Sequence, residues 1–209
     1  MAGAQLVPIF PVPIYLDRPS RGGAFNRPLA SAIRAIYAAD DKGKNLCAEK
    51  YSGGYTSYFT HKRLELDPRF VSFTHMILDC AHEFTVKLGF EHKTTLRIVN
   101  LWANINGRGG YHEKHRHENS FLSGTYYVEA GEDAAPITFY DSKAAFRMIE
   151  PNMENPGAFT AKVFSVQPST GSVVLFPSYL EHKVEVQKGA AERLSLSFNI
   201  IFTTSTDFD

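Results

Sequence analysis

Three histidines and an arginine are the residues of this sequence whose types and spacing best suit catalytic chemistry. His115 and His117 are separated by one residue, His182 lies far downstream, and Arg193 precedes Ser195 by two positions. Imidazole nitrogens bind transition metals, and an arginine with a nearby hydroxyl group can hold a carboxylate. The pattern therefore predicts a metal site with an anionic co-substrate beside it, which favours an oxygenase.

The spacing of the first two histidines suits a β-strand. Residues at positions i and i+2 of a strand point to the same face, so His115 and His117 can present two imidazoles to one ion. His182 follows an apolar run, and we expect it to supply a third ligand from a distant strand. Three protein ligands on one side of an ion leave coordination positions open, as catalytic metal sites require.

The histidine-rich segment also contains other candidate ligands. Glu113 and Glu118 are the carboxylates that could replace one of the histidines. His112 lies three residues before His115 and cannot share its strand face, so we place it at the rim of the site. The residues alone therefore leave the identity of the third ligand open.

The segment that begins at Arg193 is predicted to have one polar face. From Arg193 to Asn199, polar and apolar residues alternate, so a strand there separates them onto opposite faces. We expect the polar face to line a pocket in which Arg193 and Ser195 bind a carboxylate. The alternative is a structural ion pair between Arg193 and Glu185 or Glu192.

The second half of the chain is predicted to consist of β-strands that bring these residues together. From about residue 95 onward, apolar residues recur with a period of two in short runs separated by Gly, Pro, Asn or Asp. About eight strands without intervening helices favour a jelly roll over a parallel α/β sheet. We therefore expect a mainly β fold with a cupin-like jelly-roll core at residues 95–202.

The first 94 residues are predicted to pack outside this core. The proline-rich segment 5–16 is typical of an edge strand. Asn26, as an N-cap with Pro28 in the first turn, predicts a short amphipathic helix. A longer helix is predicted from Asp67, its N-cap, to Leu88. At 209 residues the chain has the length of a single domain, residues 1–209.

The composition argues against several classes of partner. Lys and Arg total 22, as do Asp and Glu, so no net charge is available to attract nucleic acid or an anionic membrane surface. No segment is long and apolar enough to span a membrane, and the N-terminus lacks the basic region of a signal peptide. With Cys47 and Cys80 both expected to be free thiols, we expect a cytoplasmic protein. The N-terminal strand and Phe-rich helices could form a homodimer interface.

Several short motifs resemble one enzyme superfamily. Over roughly residues 95 to 202, and in the correct order, the chain is similar to the iron(II)- and 2-oxoglutarate-dependent oxygenases, particularly to a bacterial and phage group of them. The matching motifs are NLWAN at 100–104, HRH at 115–117, SGTYYV at 123–128, FPSYLEH at 176–182 and RLSLSFN at 193–199.

This resemblance implies a fold, a metal and a co-substrate. The fold would be a double-stranded β-helix, and His115, His117 and His182 would bind iron(II). Arg193 and Ser195 would hold the distal carboxylate of 2-oxoglutarate.

Aromatic and amide side chains are candidates for the wall of the same pocket. We assign Asn104 and Tyr126 to co-substrate binding. Trp102, Tyr111 and Tyr127 are further candidates for the wall.

The chain departs from the usual first motif of the superfamily, which is H-x-D or H-x-E, because the second position is His117. With one carboxylate ligand, iron(II) and dianionic 2-oxoglutarate form a complex with one net negative charge, whereas three neutral imidazoles leave that complex neutral. A more positive iron should hold the dianion at least as well, and its redox potential should change.

We therefore expect an enzyme that hydroxylates a small molecule or a peptide and releases succinate and carbon dioxide. Two alternatives remain. One is a three-histidine, cupin-like iron dioxygenase that uses no 2-oxoglutarate, in which Arg193 would hold a substrate carboxylate. The other is a metal-stabilised jelly-roll module without catalytic turnover.

Overall fold

The alternating residues of the second half form two β-sheets, and helices of the first half pack outside one of them. The computed structural model describes residues 3–19, 22–51, 53–91, 94–144 and 149–203. The helices are α1 (Gly22–Ala39), α2 (Asp41–Lys50) and α3 (Val71–Lys87), and short 3-10 helices span Ser57–Phe59, Leu64–Leu66 and Pro68–Phe70. The strands are β1 (Tyr15–Asp17), β2 (Gly54–Thr56), β3 (Thr95–Asn106), β4 (His112–His115), β5 (Leu122–Glu129), β6 (Ile137–Tyr140), β7 (Val163–Val166), β8 (Val173–Pro177), β9 (His182–Val184) and β10 (Arg193–Thr203).

The strands pair in antiparallel fashion in both sheets. The larger sheet has six strands in the order β1-β8-β5-β10-β3-β2, and the smaller has four in the order β4-β9-β6-β7. Because neighbouring strands are far apart in sequence, residues from distant segments meet at the centre of each sheet. This arrangement confirms the expected mainly β, jelly-roll fold with helices outside it.

The larger hydrophobic core lies between the six-stranded sheet and the helices. In α3, Phe73, Ile77 and Phe84 recur at steps of four and seven and are almost completely buried, as an amphipathic helix requires. The Phe73 ring lies 5.5 Å from that of Tyr126 and 6.2 Å from that of Phe198. Burial of each such side chain contributes roughly 1.5–3 kcal/mol, so these contacts hold α3 against the sheet.

The longer helix predicted from Asp67 to Leu88 is confirmed, except that its first turn is a 3-10 helix and the α-helix begins at Val71. The Asp67 side chain accepts a hydrogen bond from the Arg69 backbone N–H, and the 3-10 helix at Pro68–Phe70 leads into α3. Gly89, with φ of +85°, follows the last turn, in the left-handed conformation that favours glycine.

Two expectations for the first half need correction, and one helix had not been expected. The first helix begins at Gly22, before Asn26, and the Asn26 side chain does not cap it but bonds to the Val128 carbonyl and the Tyr126 hydroxyl on β5. Helix α2 was not predicted; it begins where the buried Asp40 carboxylate accepts a hydrogen bond from the Gly43 N–H. The N-terminal edge strand is limited to β1, which pairs with β8.

Both cysteines are buried and carry free thiols in the described part of the chain. Within the described ranges, none of the helices has the length and apolar character needed to cross a membrane.

Candidate active site

The pocket that contains the predicted residues lies between the two sheets. A second, smaller hydrophobic cluster closes one side of this space and includes Phe176 from the larger sheet and Phe139 from the smaller one. The pocket is lined by Tyr51, Trp102, Asn104, His112, His115, His117, Gly124, Thr125, Tyr127, Ile137, Phe176, His182, Val184, Arg193, Ser195 and Ser197.

Strand pairing brings the three predicted histidines together. His115 on β4 is directly opposite His182 on β9, and their ring centroids are 4.3 Å apart. One nitrogen from each of His115, His117 and His182 can be chosen so that all three lie within 4.8 Å of one another. Because the pairing is antiparallel, two imidazoles meet although their residues are far apart in sequence.

His117 reaches the cluster by a different route from the one expected. Strand β4 ends at His115, so His117 lies just beyond the strand and does not share a regular face with it. Instead, the His117 backbone N–H donates a hydrogen bond of 3.0 Å to the Ser178 carbonyl, in the turn between β8 and β9. This bond ties the end of the histidine segment to the segment that leads to His182.

Backbone carbonyls determine which nitrogen two of the histidines leave free. Nδ1 of His115 is 2.7 Å from the Glu113 carbonyl, and Nδ1 of His182 is 2.9 Å from the Leu180 carbonyl. Since a carbonyl oxygen can only accept, each Nδ1 carries the hydrogen and the neutral ring keeps a lone pair on Nε2. This is the tautomer that metal-bound histidines commonly have.

Burial keeps these imidazoles neutral. It lowers the pKa of His182 to about 3 and that of His117 to about 4, and nearby histidines add to both shifts. Burial also lowers the pKa of His115, against an opposing effect of its bond to the Glu113 carbonyl. At neutral pH all three rings are therefore in the form that binds metal ions.

The alternative ligands lie outside this cluster. Among the described residues, the group that could hold an ion comprises the three histidines alone, and Glu113 and Glu118 are both exposed. Glu118 faces Arg116 at 3.9 Å. His112 is close, with its ring 4.4 Å from that of His115, but it does not belong to the group.

Arg193 is buried in the same pocket, with only 3% of its surface exposed. Its two terminal nitrogens donate hydrogen bonds of 3.0 Å to the Ala135 carbonyl and to Oδ1 of Asn106. Its Nε has no partner among the described residues. The guanidinium carbon lies 5.8 Å from the centre of the Tyr127 ring, whose buried hydroxyl likewise lacks a partner within the described ranges.

The alternative, a structural ion pair of Arg193 with Glu185 or Glu192, is absent among the described residues. Glu192 binds Arg34 at 2.8 Å, and Glu185 binds Lys183 at 2.9 Å. Within the described ranges no acidic side chain pairs with the buried Arg193, and a buried positive charge requires a polar or anionic partner.

Of the other polar residues predicted to line the pocket, Ser195 and Asn104 do so and Asn199 does not. Ser195 lines it and is 2% exposed. Nδ2 of Asn104 donates to Oγ of Ser197 at 3.0 Å, while its Oδ1 has no partner in the part of the chain that the structure describes. Asn199 lies on the same strand but bonds to Ser123, and it does not line the pocket.

The assignment of Tyr126 to co-substrate binding is wrong. Neighbouring residues of a strand point to opposite faces, and Tyr126 points to the helices, where its hydroxyl donates to Oδ1 of Asn26 at 2.7 Å. Tyr127, its neighbour, lines the pocket instead, as does Trp102, whereas Tyr111 does not.

The sequence did not indicate two residues near Arg193, namely Asn106 and Tyr51. Asn106 accepts from Arg193, and Tyr51 lines the pocket and accepts from Asn106 at 2.9 Å. Asn106 lies opposite Arg193 on the neighbouring strand, which only the strand order reveals. Tyr51 follows α2, which no apolar periodicity indicated.

The donor set fits the two groups that the sequence suggested. Imidazole nitrogens suit ferrous iron, and three neutral ligands leave positions for further ligands. The buried Arg193 cation suits a carboxylate, and so do two hydroxyl groups in the same pocket: that of Ser195 and that of Tyr127, which has no partner among the described residues. The pocket can therefore hold a metal ion and an anion side by side.

Comparison with known proteins agrees with this geometry. Residues 100–199 match the sequence model of the family described as "Putative 2OG-Fe(II) oxygenase". A comparison with curated proteins finds no match.

Solved structures share the fold at low sequence identity. A Pseudomonas putida prolyl-4-hydroxylase has 15% identity and a TM-score of 0.57, over 92% of this chain and 94% of the other. HygX from Streptomyces hygroscopicus, with nickel and 2-oxoglutarate bound, has 10% identity and a TM-score of 0.58, over 90% of this chain and 82% of the other. A Trichoplax adhaerens prolyl hydroxylase, in complex with a hypoxia inducible factor peptide fragment, has 11% identity and a TM-score of 0.56, over 90% and 83%.

The fold and the family match define the class of this protein, an oxidoreductase with a jelly-roll core. More narrowly, residues 100–199, which include the histidine cluster and Arg193, match the family of 2OG-Fe(II) oxygenases, whose cofactors are iron(II) and 2-oxoglutarate.

Proposed function

We propose that His115, His117 and His182 bind iron(II) and that Arg193 and Ser195 bind the distal carboxylate of 2-oxoglutarate in a substrate-hydroxylating oxygenase. The observation that carries this proposal is the position of a buried arginine, without an acidic partner in the described ranges, in the same pocket as three clustered imidazoles. A metal site alone has no need for such a cation.

The histidines support the metal role through their protonation state. His115 and His182 have Nδ1 engaged by carbonyls, so Nε2 is available without a proton having to leave. His117 is neutral because burial lowers its pKa. Metal binding therefore costs little reorganisation of these rings.

Arg193 supports the co-substrate role through its charge and its free N–H groups. Two of its five N–H groups are bonded to protein oxygens, and Nε is unpartnered among the described residues. A carboxylate would satisfy Nε and compensate the buried charge. The Tyr127 and Ser195 hydroxyls lie in the same pocket and can add hydrogen bonds to that group.

When bound together, iron(II) and 2-oxoglutarate reduce dioxygen, giving succinate and carbon dioxide while one oxygen atom enters a C–H bond of the substrate. The chain's own residues orient this chemistry and limit access of water. Phe176 and Ile137 form apolar parts of the pocket wall. Trp102 also lines the pocket, with its ring 5.9 Å from that of His117.

The proposed substrate is a small molecule or a peptide that enters along an aromatic surface. The Tyr58 ring, which is 41% exposed, lies 5.1 Å from the ring of Trp102 and so continues the pocket wall to the protein surface. A related fold binds a peptide fragment, which makes a peptide segment one reasonable occupant of this surface.

The test is an anaerobic titration of the purified protein with iron(II) and then with 2-oxoglutarate. Binding of 2-oxoglutarate to the iron should produce a weak visible charge-transfer band. Trp102 is the only tryptophan of the sequence and lines the pocket, so its fluorescence should respond to each addition. The variant Arg193→Leu should still respond to iron(II) but should no longer bind 2-oxoglutarate.

The outcomes separate this proposal from the two alternatives. Iron binding without a charge-transfer band would favour a three-histidine dioxygenase that binds its substrate directly. A band without succinate formation under oxygen, with every candidate substrate, would favour a binding module. Absence of iron binding would contradict the proposed ligand set.

A further inference from the structure

Arg193 is restrained on three sides, and this restraint bears on which co-substrates the pocket accepts. One terminal nitrogen is bonded to the Ala135 carbonyl, the other to Oδ1 of Asn106, and the guanidinium group lies against the Tyr127 ring. An arginine on a flexible stem can follow a carboxylate over several ångströms, but one held at both ends of its guanidinium group cannot.

Asn106 is itself held in place. It is 1% exposed and lies directly opposite Arg193 in the pairing of β3 with β10. Its Nδ2 donates a hydrogen bond of 2.9 Å to the Tyr51 hydroxyl, so both ends of its amide group are used. The amide therefore cannot rotate away from Arg193 without the loss of two buried hydrogen bonds.

The contact between Tyr51 and Asn106 depends on the absence of a side chain at Gly54. Gly54 pairs with Asn106, and a Cβ at Gly54 would lie 2.7 Å from the Tyr51 ring and 3.0 Å from Nδ2 of Asn106. Both distances are shorter than ordinary van der Waals contact. A glycine at this position thus allows Tyr51 and Asn106 to approach each other.

We propose that Asn106, with Tyr51 behind it, is a positioning residue that fixes the Arg193 guanidinium group and so makes the site selective for the chain length of a 2-oxo diacid. This inference rests on the proposed function. An arginine that cannot follow a carboxylate should suit one chain length, that of the five-carbon diacid 2-oxoglutarate, which the proposed function takes as the co-substrate. It disfavours oxaloacetate, which is one carbon shorter, and 2-oxoadipate, which is one carbon longer.

The experiment measures binding of the three diacids to the anaerobic iron(II) protein by quenching of Trp102 fluorescence, so it does not depend on turnover. The wild-type protein should bind 2-oxoglutarate at least about tenfold more tightly than either homologue. In Asn106→Ala, Arg193 is freed at one end, and this preference should fall by about tenfold.

Two further variants separate position from charge. Asn106→Asp keeps an acceptor for Arg193 but adds a negative charge, so binding of all three diacids should weaken while the preference for 2-oxoglutarate is retained. Tyr51→Phe removes the acceptor behind Asn106 and should lower the preference by about threefold. If Asn106→Ala does not fold, Tyr51→Phe decides the question.

A matched control removes another buried tyrosine hydroxyl outside the pocket. Tyr55 is 3% exposed, and its hydroxyl donates to Oδ2 of Asp40 at 2.8 Å. Tyr55→Phe should lower stability and leave the preference among diacids unchanged. An unchanged preference in the folded Asn106 and Tyr51 variants, or an equal loss in Tyr55→Phe, would overturn the inference. Failure of the wild-type protein to bind any diacid would instead contradict the proposed function.

Discussion

The two faces of strand β5 meet very different surroundings, and two adjacent tyrosines show the contrast. Tyr126 faces the helices, packs against Phe73 and donates its hydroxyl hydrogen to Asn26. Tyr127 faces the pocket, is equally buried, and has a hydroxyl without a partner among the described residues. The two tyrosines are equally buried, but only the Tyr126 hydroxyl has a hydrogen-bond partner within the described part of the protein.

The same contrast runs along β10. Leu196 and Phe198 are fully buried in the larger core, whereas Ser195 and Ser197 line the pocket. A buried polar atom without a partner costs about 1–3 kcal/mol, so a protein retains such atoms where something other than its own fold uses them. The helix side of the sheet is built for stability, and the pocket side is built for ligands.

The largest expected effect is on the helix side. Phe73→Ala removes a ring that contacts Tyr126 and Phe198, and a cavity of that size should lower the free energy of unfolding by about 3–5 kcal/mol. Denaturant unfolding of the metal-free protein measures this loss. The folded fraction of the variant should bind iron(II) as the wild type does. A loss below about 1 kcal/mol would show that the two sides do not differ in this way.

The next effect is on the pocket side. His182→Ala leaves two of the three proposed ligands, and metal affinity should fall by more than about a hundredfold. Titration with cobalt(II), followed by its visible absorption, measures the affinity. His75→Ala is the matched control, because His75 is exposed on α3. An equal loss in both variants, or none in His182→Ala, would contradict a specific site at the histidine cluster.

The two tyrosines allow a direct comparison of the faces at a smaller scale. Tyr126→Phe leaves Oδ1 of Asn26 without its donor and should lower the free energy of unfolding by about 1–3 kcal/mol. Tyr127→Phe removes a hydroxyl that lacks a partner within the described ranges, so the ligand-free protein should be unchanged within about 0.5 kcal/mol. Thermal unfolding of the two variants in parallel checks this. Equal losses would mean that the Tyr127 hydroxyl is satisfied in solution.

The sequence predicted those features that depend on local periodicity. The strands that contain Arg193 and His182 and the helix that begins after Asp67 all have clear patterns, and the structure confirms them. The sequence motifs also indicated the three histidines that the structure brings together.

Features that depend on strand order could not be predicted in the same way. Tyr126 and Tyr127 lie in a strand whose residues are buried on both faces, so alternation alone does not tell which of them faces the pocket. Asn106 contacts Arg193, and Tyr51 contacts Asn106, only through the pairing of β2, β3 and β10. His117 lies past the end of β4, and its position depends on a hydrogen bond to the turn after β8.

The smallest expected effect concerns pH, and it tests whether the pocket is as dry as the helix-side core. Burial lowers the pKa of His182 to about 3 and that of His117 to about 4, so neither ring takes up a proton between about pH 5.5 and 8 in the folded, metal-free protein. Metal binding then displaces no proton from His117 or His182, so these two rings should add no pH dependence to the cobalt(II) affinity over that range. Solvated histidines would instead lose affinity below their ordinary pKa of about 6.5, by about tenfold per pH unit for each ring. The stability of the metal-free protein, unlike the cobalt(II) affinity, should depend on pH. The unfolded chain binds protons on these histidines below about pH 6.5 and the folded protein does not, so their contribution lowers the free energy of unfolding as the pH falls towards 4. Cobalt(II) titrations at several pH values decide the matter, since a steep loss of affinity near pH 6.5 would mean that water reaches the imidazoles and that the pocket is not sealed as the core is.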